Sequence, residues 1–284
     1  MRLVSYLWND ISSIGVLNGD RVIDLPSSAD LPSNMVAFLQ RGDEAMNEAR
    51  AVLDEADAGD GISVDDITWL PVVTNPEKVL CLGKNYYAHI NEMGTGDAPT
   101  SPLLFHKTAG SLNAHNGQIV IPPVTKKVDY EAELAVIIGK TCRNVTEEDA
   151  FDYIAGYTAA NDVSARDLQR ATTQFTAGKM LDTFGPLGPT LVTKDEIEDV
   201  NNLRIQSILN GEVMQDSNTS LLIFGIAHTI AYVSSFSTLK PGDVLLTGTP
   251  GGVGIARDPQ VLLKSGDEIT VVIEGVGTLT NTVA

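Results

Sequence analysis

The chain of 284 residues carries 37 acidic against 19 basic side chains, a formal net charge of −18, with 43% hydrophobic and 20% charged residues. That length and apolar content suffice for a real core, which excludes disorder and collagen-like structure, and the size suits one large domain or a small one joined to a larger one. So acidic a surface repels phosphate, which argues against nucleic acid and anionic membranes as partners; solubility, adaptation to salt or an oxygen-rich cation site would each account for the acid excess.

In chain order, residues 3–8 and 13–25 read as short strands. Asn9 and Asp10 interrupt the first apolar run before it reaches the length of a signal-peptide core, and no later stretch approaches a bilayer span. With only Cys81 and Cys142, no disulfide framework is expected, and the expected setting is intracellular and cytoplasmic. Residues 35–56 have a helical pattern. Pro71 and Pro76 then mark a connector at 69–78, which puts the expected boundary near residue 75: a small N-terminal α+β domain over 1–74 and a larger domain over 75–284.

Beyond the connector, short apolar runs alternate with Gly and Pro punctuation at 79–83, 103–108, 117–123, 133–139, 203–209, 243–249 and 268–275. The fold class expected is α+β, predominantly β, with few helices. Two helices are expected. One follows the capping-box pattern from Thr146 to Asp149 and opens residues 149–157; the other carries Leu222, Ile223, Ile226, Ile230 and Val233 at helical spacing. Asn210-Gly211 predicts a two-residue hairpin turn.

Several familiar motifs fail. Gly139-Lys140-Thr141 imitates the end of a phosphate-binding loop, but Leu134 stands where its first glycine is required. No Gly-x-Ser-x-Gly elbow occurs, and neither cysteine has metal-ligand spacing. The glycines from Gly248 to Gly254 lack dinucleotide-binding spacing and read as a tight loop after a strand.

What remains is carboxylate chemistry. Glu131 and Glu133 are two residues apart, so on a strand they share one face, and the run that follows is apolar on both alternations and therefore buried. Such a pair is most often a solvated strand end. Asp162, followed by Arg166 and Gln169, adds a third carboxylate, and three with open positions would suit a hard ion such as Mg²⁺ or Mn²⁺. His89 and Glu92, three apart on a helical turn, could form an acid/base pair or a surface hydrogen bond. Lys179 could neutralise a substrate oxyanion or simply solvate a face.

The segments GKNYYAHINEMG, VDYEAELAVIIGK, GYTAANDVSARDLQ, GKMLDTFGPLGP, LNGEVMQDSNTS and LKPGDVLLTGTPGGVG occur in the order found in the fumarylacetoacetate hydrolase family, which the chain resembles from about residue 75 to its C-terminus. The resemblance implies a mixed β-sandwich-roll catalytic domain, a homodimer, and Mg²⁺ or Mn²⁺ held at Glu131, Glu133 and Asp162. It also implies that His89 and Glu92 activate water, that Lys179 contacts substrate, and that Arg166, Gln169 and Thr249 bind or support the substrate. Lys107 is counted with the substrate-side residues, although His106 and Thr108 flank it where many relatives have an apolar residue and a proline. The expected activity is metal-dependent hydrolysis of a carbon–carbon bond in a 2,4-dioxo acid, of acylpyruvate or sugar-derived type. Oxaloacetate decarboxylation, or isomerisation and decarboxylation of aromatic ring-cleavage products, are the alternatives, and a non-enzymatic binder of small acids is a further one.

Overall fold

The computed structural model describes residues 1–94 and 96–284. Among them the chain is mostly β-structure with few helices, as expected. The main path of a twelve-stranded sheet runs Ile62–Ser63, Arg21–Asp24, Ile11–Asn18, Arg2–Trp8, Gly185–Thr193, Ile154–Asn161, Ala132–Ile138, Val244–Leu246, Val79–Gly83, Leu103–Lys107. A five-stranded sheet runs Glu212–Asn218, Arg204–Leu209, Glu268–Ile273, Gly277–Val283, Gln118–Ile119.

The Ala132–Ile138 strand is buried along its whole length, and period 2 divides its side chains between two cores. Leu134, Val136 and Ile138 pack with Ile205, Val271 and Ile273 of the smaller sheet and with Ile226, Ile230 and Val233 of the helix Ile226–Phe236. Ala135 and Ile137 face the opposite core, which the helices Met35–Gln40 and Asp43–Glu55 close with Met35, Phe38 and Ala49. Segments from before and after residue 75 share the large sheet. Arg2–Trp8 pairs antiparallel with Gly185–Thr193, Val72 N donates to Leu187 O at 3.2 Å, and Val72 and Val73 are fully buried.

Three local expectations are corrected. The pattern over 35–56 breaks into two helices because Gly42 takes a left-handed φ of +64°, which ends the first and precedes the second. Thr146 does hydrogen-bond Asp149, but only the single 3-10 turn Ala150–Tyr153 follows before the chain enters the Ile154–Asn161 strand. Leu222 and Ile223 precede the helix Ile226–Phe236 rather than opening it.

Gly156 lets two central strands approach: a Cβ there would lie 2.1 Å from Val192 O. Gly156→Ala is therefore expected to cost roughly 1–3 kcal/mol of stability, seen as a lower denaturant midpoint at unchanged slope. A variant as stable as the parent would contradict the close approach.

Candidate metal centre and active site

Strand register brings the carboxylates together. Ala132 pairs with Asn161, so Glu131 and Asp162 meet at the same strand ends, and Asp162 N donates to Glu131 O at 2.9 Å. On the other side Ala135 pairs with Leu246, and Gly248, just past that strand, donates its N–H to Glu133 Oε2 at 2.7 Å. The strand Val79–Gly83 runs parallel to Val244–Leu246 and delivers the next loop to the same edge. There Asn85 Nδ2 bonds Thr247 O at 2.8 Å, and a Cβ on Gly248 would meet Asn85 Cβ at 2.8 Å.

Glu131, Glu133 and Asp162 are buried, and each offers an oxygen within 4.8 Å of the others. A solvated strand end is thereby ruled out. Burial would raise the Glu131 carboxyl, but Arg166 and Lys179 outweigh it and hold the group below the usual carboxylate range. Glu133 goes the other way, pushed well above that range by burial and then by Asp162 and Glu131. An all-oxygen set of three buried carboxylates, in which the negative charge of Asp162 and Glu131 bears on Glu133, fits a hard divalent ion, and the three carboxylates are a site for Mg²⁺ or Mn²⁺.

Lys179, also buried, lies 2.6 Å from both Glu131 Oε2 and Asp162 Oδ2, with its ammonium 5.0 Å from the Phe105 ring centre. Burial would lower its pKa, but Asp162 and Glu131 prevail and keep it charged. Arg166 Nη1 meets Glu131 Oε1 at 2.7 Å and Gln169 Oε1 at 3.0 Å. Lys107 is placed differently from the sequence expectation. Its Nζ lies behind the carboxylates, 2.8 Å from Asp162 Oδ1, and donates to the carbonyls of Val163, Lys179 and Phe184 at 3.2, 2.6 and 2.8 Å.

His89 and Glu92 sit on the helix Tyr87–Met93, with Nδ1 and Oε1 2.9 Å apart. Glu92 Oε2 accepts the N–H of Gly252 at 2.6 Å and Oε1 that of Val253 at 3.4 Å. Because Nδ1 is engaged by Glu92, the basic lone pair of the neutral imidazole falls on Nε2. His89, Glu131, Glu133, Gln169, Lys179 and Thr249, together with Arg166, line one small cavity of about 60 Å³. A larger cavity of about 810 Å³ lies among N-terminal residues such as Trp8, Ile11 and Asp24, and none of the sequence-predicted site residues lines it.

Sequence reasoning missed the residues that hold this arrangement in place. Gln215 accepts Ala132 N at 2.9 Å and donates to Thr249 Oγ1 at 2.8 Å and Pro250 O at 2.9 Å, tying the metal-site strand to the glycine-rich loop. Asp129, beside the Glu131–Glu133 pair, contacts Arg166 Nε at 2.8 Å.

The chain is similar to known proteins over its whole length. The chain is 43% identical over 290 residues to the mitochondrial oxaloacetate tautomerase fahd2 of Xenopus laevis, covering 100% of this chain and 90% of that protein. A fumarylacetoacetate hydrolase from psychrophilic Exiguobacterium antarcticum superposes with a TM-score of 0.86 at 35% identity, covering 100% of this chain and 99% of that one. Maleylpyruvate hydrolase from Sphingobium sp. SYK-6, solved with manganese(II) and pyruvate, gives a TM-score of 0.84 at 29% identity over 100% and 99% of the two chains. Residues 78–284, which include the three buried carboxylates, match the domain described as fumarylacetoacetate (FAA) hydrolase C-terminal, and the chain belongs to the fumarylacetoacetate hydrolase family.

Proposed function

We propose that this protein is a divalent-metal-dependent enzyme of small 2-oxo acids that interconverts the enol and keto forms of oxaloacetate. The observation that carries the reading is the 43% identity over the whole chain to an oxaloacetate tautomerase, joined to a buried carboxylate site beside a His–Glu pair. The expectation from sequence put hydrolysis first; the curated relatives favour tautomerisation.

A bound Mg²⁺ or Mn²⁺ would supply Lewis-acid polarisation of the 2-oxo group. In the keto-to-enol direction His89 Nε2 takes a proton from C3 and the C2 oxygen gains one from solvent water; in the reverse direction the enol O–H gives its proton to solvent and C3 takes one from His89 Nε2. Glu92, anchored by the N–H groups of Gly252 and Val253, fixes the histidine tautomer and faces the imidazolium charge. Lys179, held as an ammonium, places positive charge beside the developing enolate oxygen. Arg166, Gln169 and Thr249 orient the acid, while Lys107 supports Asp162 from behind.

Hydrolysis of a 2,4-dioxo acid is the second reading, supported by the same dyad, which could activate water, and by the likeness to maleylpyruvate hydrolase. We further assign a homodimer and a cytoplasmic setting, the latter on the free, buried Cys81 and Cys142; the Xenopus relative is mitochondrial by name. Among the described residues no helix is long and apolar enough to cross a membrane.

The test follows the loss of enol ultraviolet absorbance after oxaloacetate is diluted from dry aprotic solvent into buffer with the metal-loaded protein. Enzyme-dependent acceleration is expected. If the enol decays at the blank rate while acylpyruvates are cleaved, the hydrolase reading replaces this one.

A further inference from the structure

Asp129 is completely buried, yet it faces neither the cavity nor the metal cluster. It lies on the short strand Val128–Asp129, paired antiparallel with Ser164–Ala165, a register that brings it to Arg166. Four protein donors converge on its carboxylate. Oδ2 accepts from Arg166 Nε at 2.8 Å and Ile255 N at 3.1 Å, and Oδ1 from Gly254 N at 2.8 Å and Tyr130 N at 3.0 Å. Both oxygens are thus committed to the protein, and Asp129 is neither a ligand nor a base.

Its effect is on Arg166. A guanidinium is planar, so fixing Nε on Asp129 and Nη1 on Glu131 and Gln169 also fixes the direction of Nη2. That nitrogen is buried and has no hydrogen-bond partner among the described residues, although Arg166 lines the cavity. A buried charged donor without an acceptor is costly, and an anionic oxygen entering the cavity would remove the cost. Asp129 reaches further through the loop it anchors. A Cβ at Gly254 would lie 2.7 Å from Asp129 Oδ1 and 1.9 Å from Val261 O, so only glycine allows this approach, and Gly252 of the same loop holds Glu92.

We propose that Asp129 is a positioning residue that aims Arg166 Nη2 at the carboxylate of the bound acid. The proposal rests on the reading of the cavity as a 2-oxo acid site. Its test is calorimetric titration of oxalate, a planar dianion resembling the enolate end of a 2-oxo acid, into the Mn²⁺-loaded full chain. Asp129→Asn should keep Mn²⁺ affinity but lose oxalate affinity roughly tenfold to hundredfold, the loss expected for a hydrogen bond to a charged group. If Asp129 acts through Arg166, the double variant Asp129→Asn/Arg166→Ala should bind oxalate no more weakly than Arg166→Ala alone. Losses that multiply in the double variant, or unchanged oxalate binding by Asp129→Asn, would overturn the proposal. Should Asp129→Asn not fold, Arg166→Lys gives a second test, since lysine keeps the charge without the fixed fork; wild-type oxalate affinity in that variant would equally overturn it. Wild-type protein that shows the oxalate pattern but no enzyme-dependent decay of oxaloacetate enol would remove the proposed reaction and leave the positioning role standing.

Discussion

Glu133→Ala is expected to abolish divalent-ion binding and turnover together while leaving the metal-free fold as stable as the parent. Among the described residues Glu133 forms no ion pair with a protein cation; it accepts the Gly248 N–H, and burial, Asp162 and Glu131 all disfavour its charged form. Removing it from the metal-free protein relieves repulsion. Removing it from the loaded protein deletes one of three oxygen ligands, and since even the outer partners of metal ligands are worth roughly 10–100-fold in affinity, the loss should exceed that range. Glu131→Ala and Asp162→Ala should lose the ion equally but, unlike Glu133→Ala, lower stability, because each removes one of the two carboxylates that pair with buried Lys179; Glu131→Ala also takes an acceptor from Arg166 Nη1, and Asp162→Ala breaks the ion pair to buried Lys107. Mn²⁺ titration and thermal midpoints with and without Mn²⁺ separate these effects, since a bound ion raises the midpoint by mass action. Full activity of the parent after exhaustive chelation would refute the metal requirement.

The parts of this site that sequence reveals are those with local spacing. Glu131 and Glu133 are readable because a strand repeats every second residue, and His89 with Glu92 because a helix turn returns after three or four. The double-sided apolar run of Ala132–Ile138 likewise signals burial on both faces. What was not readable depends on register between distant segments. Nothing local says that Asp129 will meet Gly254 across 125 positions, or that Gln215 will bridge Ala132 and Thr249. The contacts of Lys107 are equally silent in the sequence, because its backbone carbonyl acceptors have no side-chain signature at all. The failed helix at 149–157 has a similar cause: Thr146 makes its local contact, but pairing of Ile154–Asn161 with strands on both sides outweighs a cap. The larger cavity near Trp8 is a reminder that size alone does not locate chemistry.

The dyad offers the cleanest separation of candidate reactions. Enol–keto exchange needs a base at C3, and hydrolysis of a dioxo acid needs a base for water; loss of CO₂ from a chelated β-oxo acid needs neither. His89→Ala removes the basic nitrogen. Glu92→Gln keeps nearly the same shape, but its amide gives up the negative charge that faces His89 and can no longer offer two acceptor oxygens to His89 Nδ1–H and Gly252 N–H. Each should therefore depress enol–keto exchange, and any acylpyruvate cleavage, by roughly 10²–10⁴-fold, the usual worth of general base catalysis. Mn²⁺ affinity should persist, because neither side chain belongs to the carboxylate cluster. If Glu92 works only through the imidazole, the double variant should be no slower than His89→Ala. Any decarboxylation of oxaloacetate should survive both changes far better than proton transfer does, so the ratio of the two rates measured on one Mn²⁺-loaded sample reports the base directly. Parent-rate turnover of enol oxaloacetate by both variants with metal bound would show that the proton is moved by some other group, and the role assigned to His89 would fall even if the substrate assignment held.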